Sequence, residues 1–244
     1  FASAKTTLRP VLSGVYLRAE KGNLILVSTD SYRLSEISLP SDSTKEDVSC
    51  IIPAKVLEEL RSVLSSKKSD NKEKTLKDDE NKEDETKKVE VSLSAQQIEL
   101  KVGRTTLLSR LIDGKFPDYN QIIPKDTVTT AAIPTKEFVT AVKRMHYFAK
   151  EANNNLTFNF SDKNVHMNTP QTQAGQDEAT LEIAINGKEN KIALSSSYLL
   201  DFLGHIDAPE VEMRLIDSMH PAIFQVPGDE KFLHLIMPLR IQED

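Results

Sequence analysis

The chain contains an internal repeat, and this repeat restricts the fold more than any other feature of the sequence. The stretch IIPAKVLEEL (residues 51–60) matches AAIPTKEFVTAV (residues 131–142), and each runs from an extended segment through Pro-x-Lys into an amphipathic one. A second correspondence links Phe1-Ala2 with Phe148-Ala149, because both pairs precede two strand-like segments. The repeat predicts two similarly built units. If the copies are equivalent, Phe1 ends a helix whose earlier turns and preceding strand are missing, so we expect the first unit to be incomplete.

Strand signals dominate both units. Segments in which apolar and polar residues alternate with a period of two lie at residues 23–29, 90–93, 97–102, 156–160, 181–185, 211–216 and 232–237. Turn signals separate them at residues 21–23, 162–164 and 186–187. The last of these, Asn186-Gly187, is typical of a two-residue hairpin. We therefore expect antiparallel meanders.

Three amphipathic segments predict helices at residues 53–64, 134–149 and 196–206. Pro53 suits the first turn of the first helix, and serines at the start of the third can cap its backbone amides. Each helix has one apolar stripe that can pack on a sheet. The predicted fold class is α+β, with two similar domains of antiparallel sheets that carry helices on one face.

Charge is distributed unevenly along the chain, whose net charge is -6. Residues 67–88 hold eight lysines, eight acidic residues and a single aliphatic residue, Leu76. Such a segment cannot bury enough apolar area to offset its ordering entropy, so we expect a disordered surface insertion. A charged docking segment is the alternative. By contrast, residues 135–150 hold four basic residues and one acidic residue, which concentrates positive charge on the second helix.

Several classes of chemistry find no support in the sequence. Cys50 is the only cysteine and cannot form an internal disulfide, and the five histidines show no ligand spacing with acids or with Cys50. The chain contains no phosphate-binding loop, HExxH or GxSxG motif, and Asp30 fits a turn-capping role better than that of a catalytic acid. We predict a non-enzymatic protein without a metal or cofactor. The lack of a long apolar run or a signal peptide predicts a cytoplasmic protein that is not in a membrane.

Three motifs resemble the bacterial DNA polymerase III beta sliding clamp family. They are TLRPVLSGVYLRAEKGNLILVSTDSYRL (residues 7–34), RLIDGKFPDYNQIIP (residues 110–124) and IMPLRI (residues 236–241), and they occur in the order and spacing of that family. The resemblance covers almost the whole chain except residues 67–88. It implies the DNA clamp fold, with most of the second of three similar domains in residues 1–125 and the third domain in residues 126–244.

The resemblance also implies a function. Members of the family are processivity factors that encircle double-stranded DNA without reading its sequence. They bind DNA polymerase, repair proteins and clamp-loader subunits through short clamp-binding peptides. The full-length protein is implied to be a head-to-tail homodimer ring in which the first domain meets the third, so we expect this chain not to close that ring. The alternative is a protein-interaction scaffold that binds peptides without encircling DNA. A third hypothesis, a hydrolase, lacks a supporting motif.

The family's peptide-binding groove can be carried over position by position. It comprises Leu12, Thr29, Ser31, Tyr32, Arg33, Leu34, Pro124, Thr129, Leu235, Met237, Pro238, Leu239 and Arg240. Leucine, methionine and proline offer an adaptable apolar surface, and the arginines are expected to hold carbonyls or acids at the rim. Ser31 and Tyr32 replace the Gly-His that is usual in the family, so we expect an altered turn and a bulky ring at the rim. The neighbours of Thr129 match the family poorly.

A DNA-facing surface is implied on the second helix. It comprises Lys136, Thr140, Lys143, Tyr147 and Lys150, with Arg144 beside them, and Lys5 and Arg9 extend it. Lysines on such a helix attract phosphates without distinguishing bases, which permits sliding. Without the resemblance, the same residues describe a solvated amphipathic helix, and the apolar groove positions describe an ordinary core.

Overall fold

The computed structural model describes residues 1–6, 8–20, 22–41, 47–70 and 88–241, with backbone alone for residues 66–70. The chain forms two compact units. The N-terminal unit comprises Ser3–Ser28 and Pro40–Phe116, and the C-terminal unit comprises Phe1–Ala2, Thr29–Leu39 and Pro117–Asp244. Each unit is built from antiparallel sheets and helices, as the sequence predicts. The domain boundary near residue 125 stays a prediction.

The described residues of the first half of the chain form seven strands and one long helix. They are β1 (Gly14–Glu20), β2 (Asn23–Thr29), β3 (Arg33–Pro40), β4 (Val48–Pro53), α1 (Ala54–Asp70), β5 (Glu90–Leu93), β6 (Gln97–Val102) and β7 (Thr105–Arg110). In the N-terminal unit, β1 pairs with both β2 and β4, and β5, β6 and β7 form a meander. The apolar stripe of α1 packs against Leu17, Ile52, Ile98 and Leu100.

The second half repeats this order with a preceding strand and helix and one additional short strand. By this order α1 corresponds to the last helix of the chain, and not to the helix at residues 135–149 with which the match of residues 51–60 to 131–142 aligned it. Its elements are β8 (Thr129–Pro134), α2 (Thr135–Ala149), β9 (Asn155–Ser161), β10 (Asn164–Asn168), β11 (Glu178–Glu182), β12 (Ala184–Gly187), β13 (Asn190–Ser195), α3 (Ser196–Leu203), β14 (Glu210–Leu215), β15 (Ala222–Val226) and β16 (Asp229–Ile236). Short 3-10 helices lie at Pro10–Ser13, Asn120–Ile122 and Lys150–Ala152. In the C-terminal unit the strands β12-β8-β14-β15-β16-β3 run side by side, and β11-β10-β9-β13 form a second sheet.

The core of the C-terminal unit lies between its sheets and its two helices. Phe138 and Met145 of α2, and Leu199 and Phe202 of α3, are completely buried there. The alternating pattern of the strands produces this arrangement, because every second side chain points inward. The N-terminus of α3 is capped by Ser195, whose hydroxyl accepts a hydrogen bond from the Tyr198 amide at 3.5 Å. The predicted serine cap is therefore present.

The hairpin predicted at Asn186-Gly187 is wrong. These residues end β12, which pairs with β8, whereas the next strand, β13, pairs with β9 in the other sheet. Gly187 has a φ of 113°, and a side chain there would overlap the carbonyl of Val128. The residues that lead into β8 approach so closely here that only glycine fits. The Asn-Gly sequence therefore reflects this close contact and not a hairpin turn.

Two further boundaries differ from the predicted ones. The strand predicted at residues 181–185 is divided at Ile183, which is buried and separates β11 from β12 in different sheets. Helix α1 continues to Asp70, so the first four residues of the predicted insertion are helical. Extending an established helix costs little, and lysine and serine are compatible with it. The rest of the insertion, residues 71–87, lies outside the described residues.

The third helix ends at Leu203 rather than Ile206. The Gly204 amide closes the last turn on the carbonyl of Leu200 at 2.9 Å, and the chain then leaves the helix. None of the helices in the described part of the chain combines the length and the hydrophobicity that a membrane crossing requires.

Candidate functional site

The predicted groove residues of the C-terminal unit meet where β3 runs beside β16. In this antiparallel pair Leu34 lies opposite Leu235, and Arg33 lies opposite Ile236. Immediately beyond the pair, the Met237 amide donates a hydrogen bond to the carbonyl of Tyr32 at 2.8 Å. The turn that precedes β3 and the segment that follows β16 are therefore neighbours, although about 200 residues of sequence separate them.

The turn between β2 and β3 is fixed by its own polar side chains. Asp30 Oδ1 accepts hydrogen bonds from the amides of Tyr32 and Arg33, at 2.9 and 3.0 Å. The Thr29 hydroxyl donates to the Arg33 carbonyl at 2.6 Å and accepts from the Ser31 amide at 3.1 Å. Ser31 has a φ of 79°, a conformation that costs free energy for a residue other than glycine. These hydrogen bonds stabilise it, and the turn projects the Tyr32 ring, which is 62% exposed.

Arg33 lies beneath this turn and not at the rim where the sequence placed it. Its side chain is only 3% exposed, and its Nε and Nη1 contact Asp30 Oδ2 at 3.1 Å and Asp201 Oδ2 at 2.7 Å. The guanidinium also stacks on the ring of Tyr198, 4.4 Å from its centroid. A buried cation requires such partners, because the loss of hydration would otherwise oppose folding. Arg33 thus ties the turn to α3.

Sequence reasoning missed the two residues of α3 that hold Arg33. Tyr198 and Asp201 are three positions apart and so share one face of the helix, beside its apolar stripe. Burial, reinforced by the nearby Asp30 carboxylate, raises the pKa of the Tyr198 hydroxyl. The i,i+3 pairing of an aromatic and an acidic residue was the one available signal. Such a pair indicates that a cation can bind there, but it does not indicate which residue supplies the cation.

The segment after β16 is anchored through its backbone. The Leu239 amide donates to the carbonyl of Ala193 at 2.7 Å, and the Asn155 side-chain amide donates to the carbonyl of Arg240 at 3.0 Å. Met237 and Pro238 are half-buried like Leu239, whereas Arg240 is exposed. Because the backbone is satisfied by the unit itself, the apolar side chains of this segment are positioned at its surface.

The remaining predicted groove residues occupy other places. Leu12 is buried in the N-terminal unit, and Pro124 is half-buried in the loop before β8. Thr129 is buried, and its hydroxyl donates to the Lys188 carbonyl at 2.7 Å and accepts from the Asn190 side chain at 3.0 Å. It lies on β8, four strands from β3 in the sheet order, which corresponds to about 19 Å. The structure does not bring Thr129 to the turn.

A buried histidine supports the same pair of strands. His234 Nδ1 lies 2.8 Å from the Ser35 hydroxyl, and the imidazole stacks on the Phe202 ring at 4.8 Å between centroids. Burial, with the Arg33 charge nearby, lowers the pKa of His234 to about 3. The ring is therefore neutral at physiological pH, and it places no second positive charge beside Arg33.

The predicted basic face of α2 is exposed at all of its predicted positions. Lys136, Lys143, Tyr147 and Lys150 are exposed to solvent, as is Thr140, whose hydroxyl donates to the Lys136 carbonyl. Lys5 and Arg9 are exposed on the N-terminal unit.

Arg144 differs from the other basic residues of α2, because it is committed to contacts within the unit. Its Nε contacts Asp177 Oδ2 at 2.7 Å, and its Nη2 donates to the carbonyl of Glu178 at 2.8 Å. The Asp177 carboxylate offsets the charge of Arg144, so the free positive charge of this face comes from the lysines.

No group of three or more metal-binding side chains occurs among the residues that the structure describes. Cys50 is half-buried, and burial raises the pKa of its thiol, so the reactive thiolate is disfavoured.

Comparison with known proteins gives consistent matches. The family model of the DNA polymerase III beta subunit, C-terminal domain, matches residues 120–240, and the model of the central domain matches residues 1–74. The beta sliding clamp of Staphylococcus aureus is 30% identical over 242 residues, which cover 98% of this chain and 59% of that protein. The beta sliding clamp of Bacillus subtilis is 30% identical over 248 residues, covering 98% and 60%.

Solved structures agree with these matches. The structure of the DNA polymerase sliding clamp from Bacillus subtilis is similar with a TM-score of 0.85 at 28% identity, over 99% of this chain and 60% of that one. The structure of the DNA polymerase III subunit beta from Pseudomonas aeruginosa gives 0.87 at 25% identity, over 99% and 61%. The chain thus spans about three fifths of the length of the relatives it matches.

Proposed function

This chain belongs to the bacterial DNA polymerase III beta subunit family, and from that premise we propose that it is part of a sliding clamp. The clamp is a non-enzymatic processivity factor that encircles double-stranded DNA in the cytoplasm and holds its polymerase by a short peptide. The observation that carries the proposal is the pairing of β3 with β16, which sets the Thr29–Leu34 turn beside the Met237–Arg240 segment. Ring closure as a head-to-tail homodimer is proposed for the whole protein.

The peptide groove is proposed to form along these two segments. Met237, Pro238 and Leu239 offer half-buried apolar side chains on a backbone that is already hydrogen-bonded, so a peptide need not order it. The exposed ring of Tyr32 adds an aromatic wall at one side. Apolar peptide anchors would gain free energy by covering these groups, while Arg240 can pair with a peptide carbonyl or acid. Arg33 supports the turn from below.

The proposed contact with DNA is electrostatic. Lys136, Lys143 and Lys150 are exposed cations on one helix, and cations at such spacing attract phosphates with no preference for a base sequence. Lys5 and Arg9 are proposed to add to this charge. A polymerase held by the groove and a ring held on the duplex together explain processivity, since neither contact needs to release while the complex moves.

The first experiment is a titration of this chain with a Gln- and Leu-rich clamp-binding peptide. Met237→Asp and Leu239→Asp should each weaken binding by about tenfold or more, because the charge opposes apolar burial. Leu34 is unsuitable for this test, because it is 0% exposed and a charge there would disrupt the sheet. Lys163→Glu, in the turn between β9 and β10, serves as the matched control and should bind normally. Wild-type affinity in both aspartate variants, with unchanged circular dichroism, would refute the groove.

A second experiment distinguishes the sliding clamp from the alternative function, a peptide-binding scaffold that does not encircle DNA. The full-length protein should be loaded onto nicked circular DNA by a clamp loader and should slide off when the DNA is cut. A scaffold would retain peptide binding and show no difference between circular and linear DNA.

A further inference from the structure

The N-terminal unit contains a pocket that neither the proposed peptide groove nor the proposed DNA contact uses. Its volume is about 800 Å³. Three segments of this unit form its walls, namely residues 49–51 in the middle of β4, residues 95–96 in the turn between β5 and β6, and residues 110–116 at the end of β7 and after it. Tyr16 of β1 completes the lining. Pockets of this size bind ligands as large as a short peptide segment.

One wall of this pocket repeats a contact that positions the proposed peptide groove. By element order β4 corresponds to β13, because each strand leads directly into a helix, α1 or α3. In the C-terminal unit the Leu239 amide donates to the carbonyl of Ala193 on β13 at 2.7 Å. In the N-terminal unit the Ile112 amide donates to the carbonyl of Ile51, at the equivalent position of β4, at 2.9 Å. The segment after β7 therefore lies against β4 as the segment after β16 lies against β13.

The floor of the pocket is apolar and is held by its own contacts. The Phe116 ring stacks on the Tyr16 ring, with 5.0 Å between centroids and an interplanar angle of 7°. Ile51 is buried, and Leu111 and Ile112 are half-buried. An apolar side chain placed on this floor gains free energy by removing its own surface and these groups from water, and the floor needs no ordering beforehand.

The rim of the pocket carries positive charge, although the chain as a whole is acidic. Arg110 and Lys115 are exposed there, and neither forms an ion pair with another described residue. They differ in this respect from Arg33 and Arg144, which are both paired with carboxylates. Asp113 is the one acidic side chain among the described lining residues, so the rim has a net positive charge. Such a rim attracts a negatively charged ligand.

We propose that this pocket is a second docking site, which binds an extended acidic peptide. The peptide places an apolar side chain on the floor and an acidic side chain against Arg110 and Lys115. The choice of a peptide as ligand rests on the function proposed above, because the pocket repeats a contact of the proposed groove. The charge of the rim then determines which peptides bind, since a basic peptide meets repulsion where an acidic one meets attraction.

Cys50 provides a readout that is specific to this pocket, because it contributes to the lining and is the only cysteine of the chain. The probes are two synthetic peptides, acetyl-Ser-Leu-Asp-Leu-Phe-amide and acetyl-Ser-Leu-Lys-Leu-Phe-amide. The experiment measures the rate at which iodoacetamide alkylates Cys50 with and without each peptide. At about 1 mM the aspartate peptide should slow alkylation about fivefold, which corresponds to a dissociation constant of about 0.25 mM. The lysine peptide should slow it less than about twofold.

Charge variants test the rim. Arg110→Glu and Lys115→Glu should each reduce the protection by the aspartate peptide to less than about twofold, since each replaces an attraction with a repulsion. Arg104→Glu, at an exposed arginine in the turn between β6 and β7, is the matched control and should retain the full protection. The ratio of the rates with and without peptide is compared within each variant, so a change in the reactivity of the thiol itself does not enter the result.

Met237→Asp separates this site from the proposed groove. The variant should keep the full protection of Cys50, and loss of protection would show that the peptide acts from the proposed groove and would overturn the proposal. No protection in the wild type, equal protection by both peptides, or protection that neither rim variant alters would also overturn it. Protection by N-acetylaspartate as strong as by the peptide would assign the pocket to a small carboxylate instead. Failure of the proposed groove has a different signature, because Met237→Asp would then leave the affinity for the Gln- and Leu-rich peptide unchanged.

Discussion

Arg33 is the residue on which the shape of the candidate groove depends most. It lies 168 positions before Asp201, and the pair joins the turn before β3 to helix α3. Asp30, Asp201 and the Tyr198 ring enclose the guanidinium and leave it little surface for a ligand. Arg33 therefore holds the turn in position and does not itself contact a peptide. Its contribution to peptide binding should therefore be indirect.

Replacement of Arg33 tests this role. Arg33→Ala should lower the free energy of unfolding by about 2 kcal/mol, since it leaves two carboxylates without their cation. Peptide affinity should fall with it, as the turn is no longer held. Arg240→Ala, at an exposed arginine of the same site, should keep wild-type stability and affect affinity alone. Urea unfolding and peptide titration of both variants measure the two effects. Equal stability of Arg33→Ala and wild type would contradict the assignment.

His234 makes stability depend on pH in a defined direction. Its pKa is about 3 in the folded chain, whereas an unfolded histidine titrates near 6.5. Below about pH 6.5 the unfolded state therefore binds a proton that the folded state does not. The stabilisation is complete above that pH and is lost as the pH falls, by at most about 1.4 kcal/mol per pH unit, until about pH 3.

His234→Phe removes this proton-binding difference and preserves the stack on Phe202. The variant should lose about 1 kcal/mol at pH 7, because the hydrogen bond with Ser35 is gone, yet its stability should fall less steeply between pH 6.5 and 4. Urea unfolding at several pH values measures the slope. The same measurement on His205→Gln, at an exposed histidine, controls for the loss of a histidine as such. Parallel curves for His234→Phe and wild type would contradict the prediction.

At the scale of elements, helix α2 carries two kinds of basic residue: lysines that are exposed to solvent, and Arg144, which forms an ion pair with Asp177. Lys136→Glu with Lys143→Glu should reduce the dependence of DNA affinity on salt by about two in the log-log slope, since each lysine removed is one phosphate contact fewer. Arg144→Ala should leave that slope nearly unchanged, because Asp177 already offsets its charge. Filter binding of the full-length protein over a range of salt measures both. A larger effect from Arg144→Ala than from the lysine pair would contradict this division.

Elements whose signal is local were predictable from the sequence. The burial of β6 alternates strictly, with Ile98, Leu100 and Val102 inside, and the period of two predicted its bounds. The pairing partner of a strand is not local, which is why Asn186-Gly187 was mistaken for a hairpin although β12 and β13 join different sheets. The same limit applies to the site. The resemblance predicted Arg33 and Met237 as groove residues, but the sequence could not indicate that Asp201 and Tyr198 enclose the arginine.

At the scale of the whole molecule, the two units differ in how completely their cores are closed. In the C-terminal unit, α3 buries Leu199 and Phe202 completely, whereas the corresponding stripe of α1, which includes Val56 and Leu57, is half-buried. Burial of apolar area is the main source of stability, so the N-terminal unit should be the weaker of the two.

The difference in burial predicts that the units unfold separately. Amide hydrogens of α1 and of β5 to β7 should exchange faster than those of α2, α3 and β9, because local opening exposes them at lower free energy. Two cavity-forming substitutions separate the units further. Ile98→Ala should cost about 3 kcal/mol in the N-terminal unit and lower only the first thermal transition, while Phe158→Ala should cost about 4 kcal/mol and lower only the second. Calorimetry of both variants measures the shifts. A single transition displaced equally by both would mean that the two cores unfold as one.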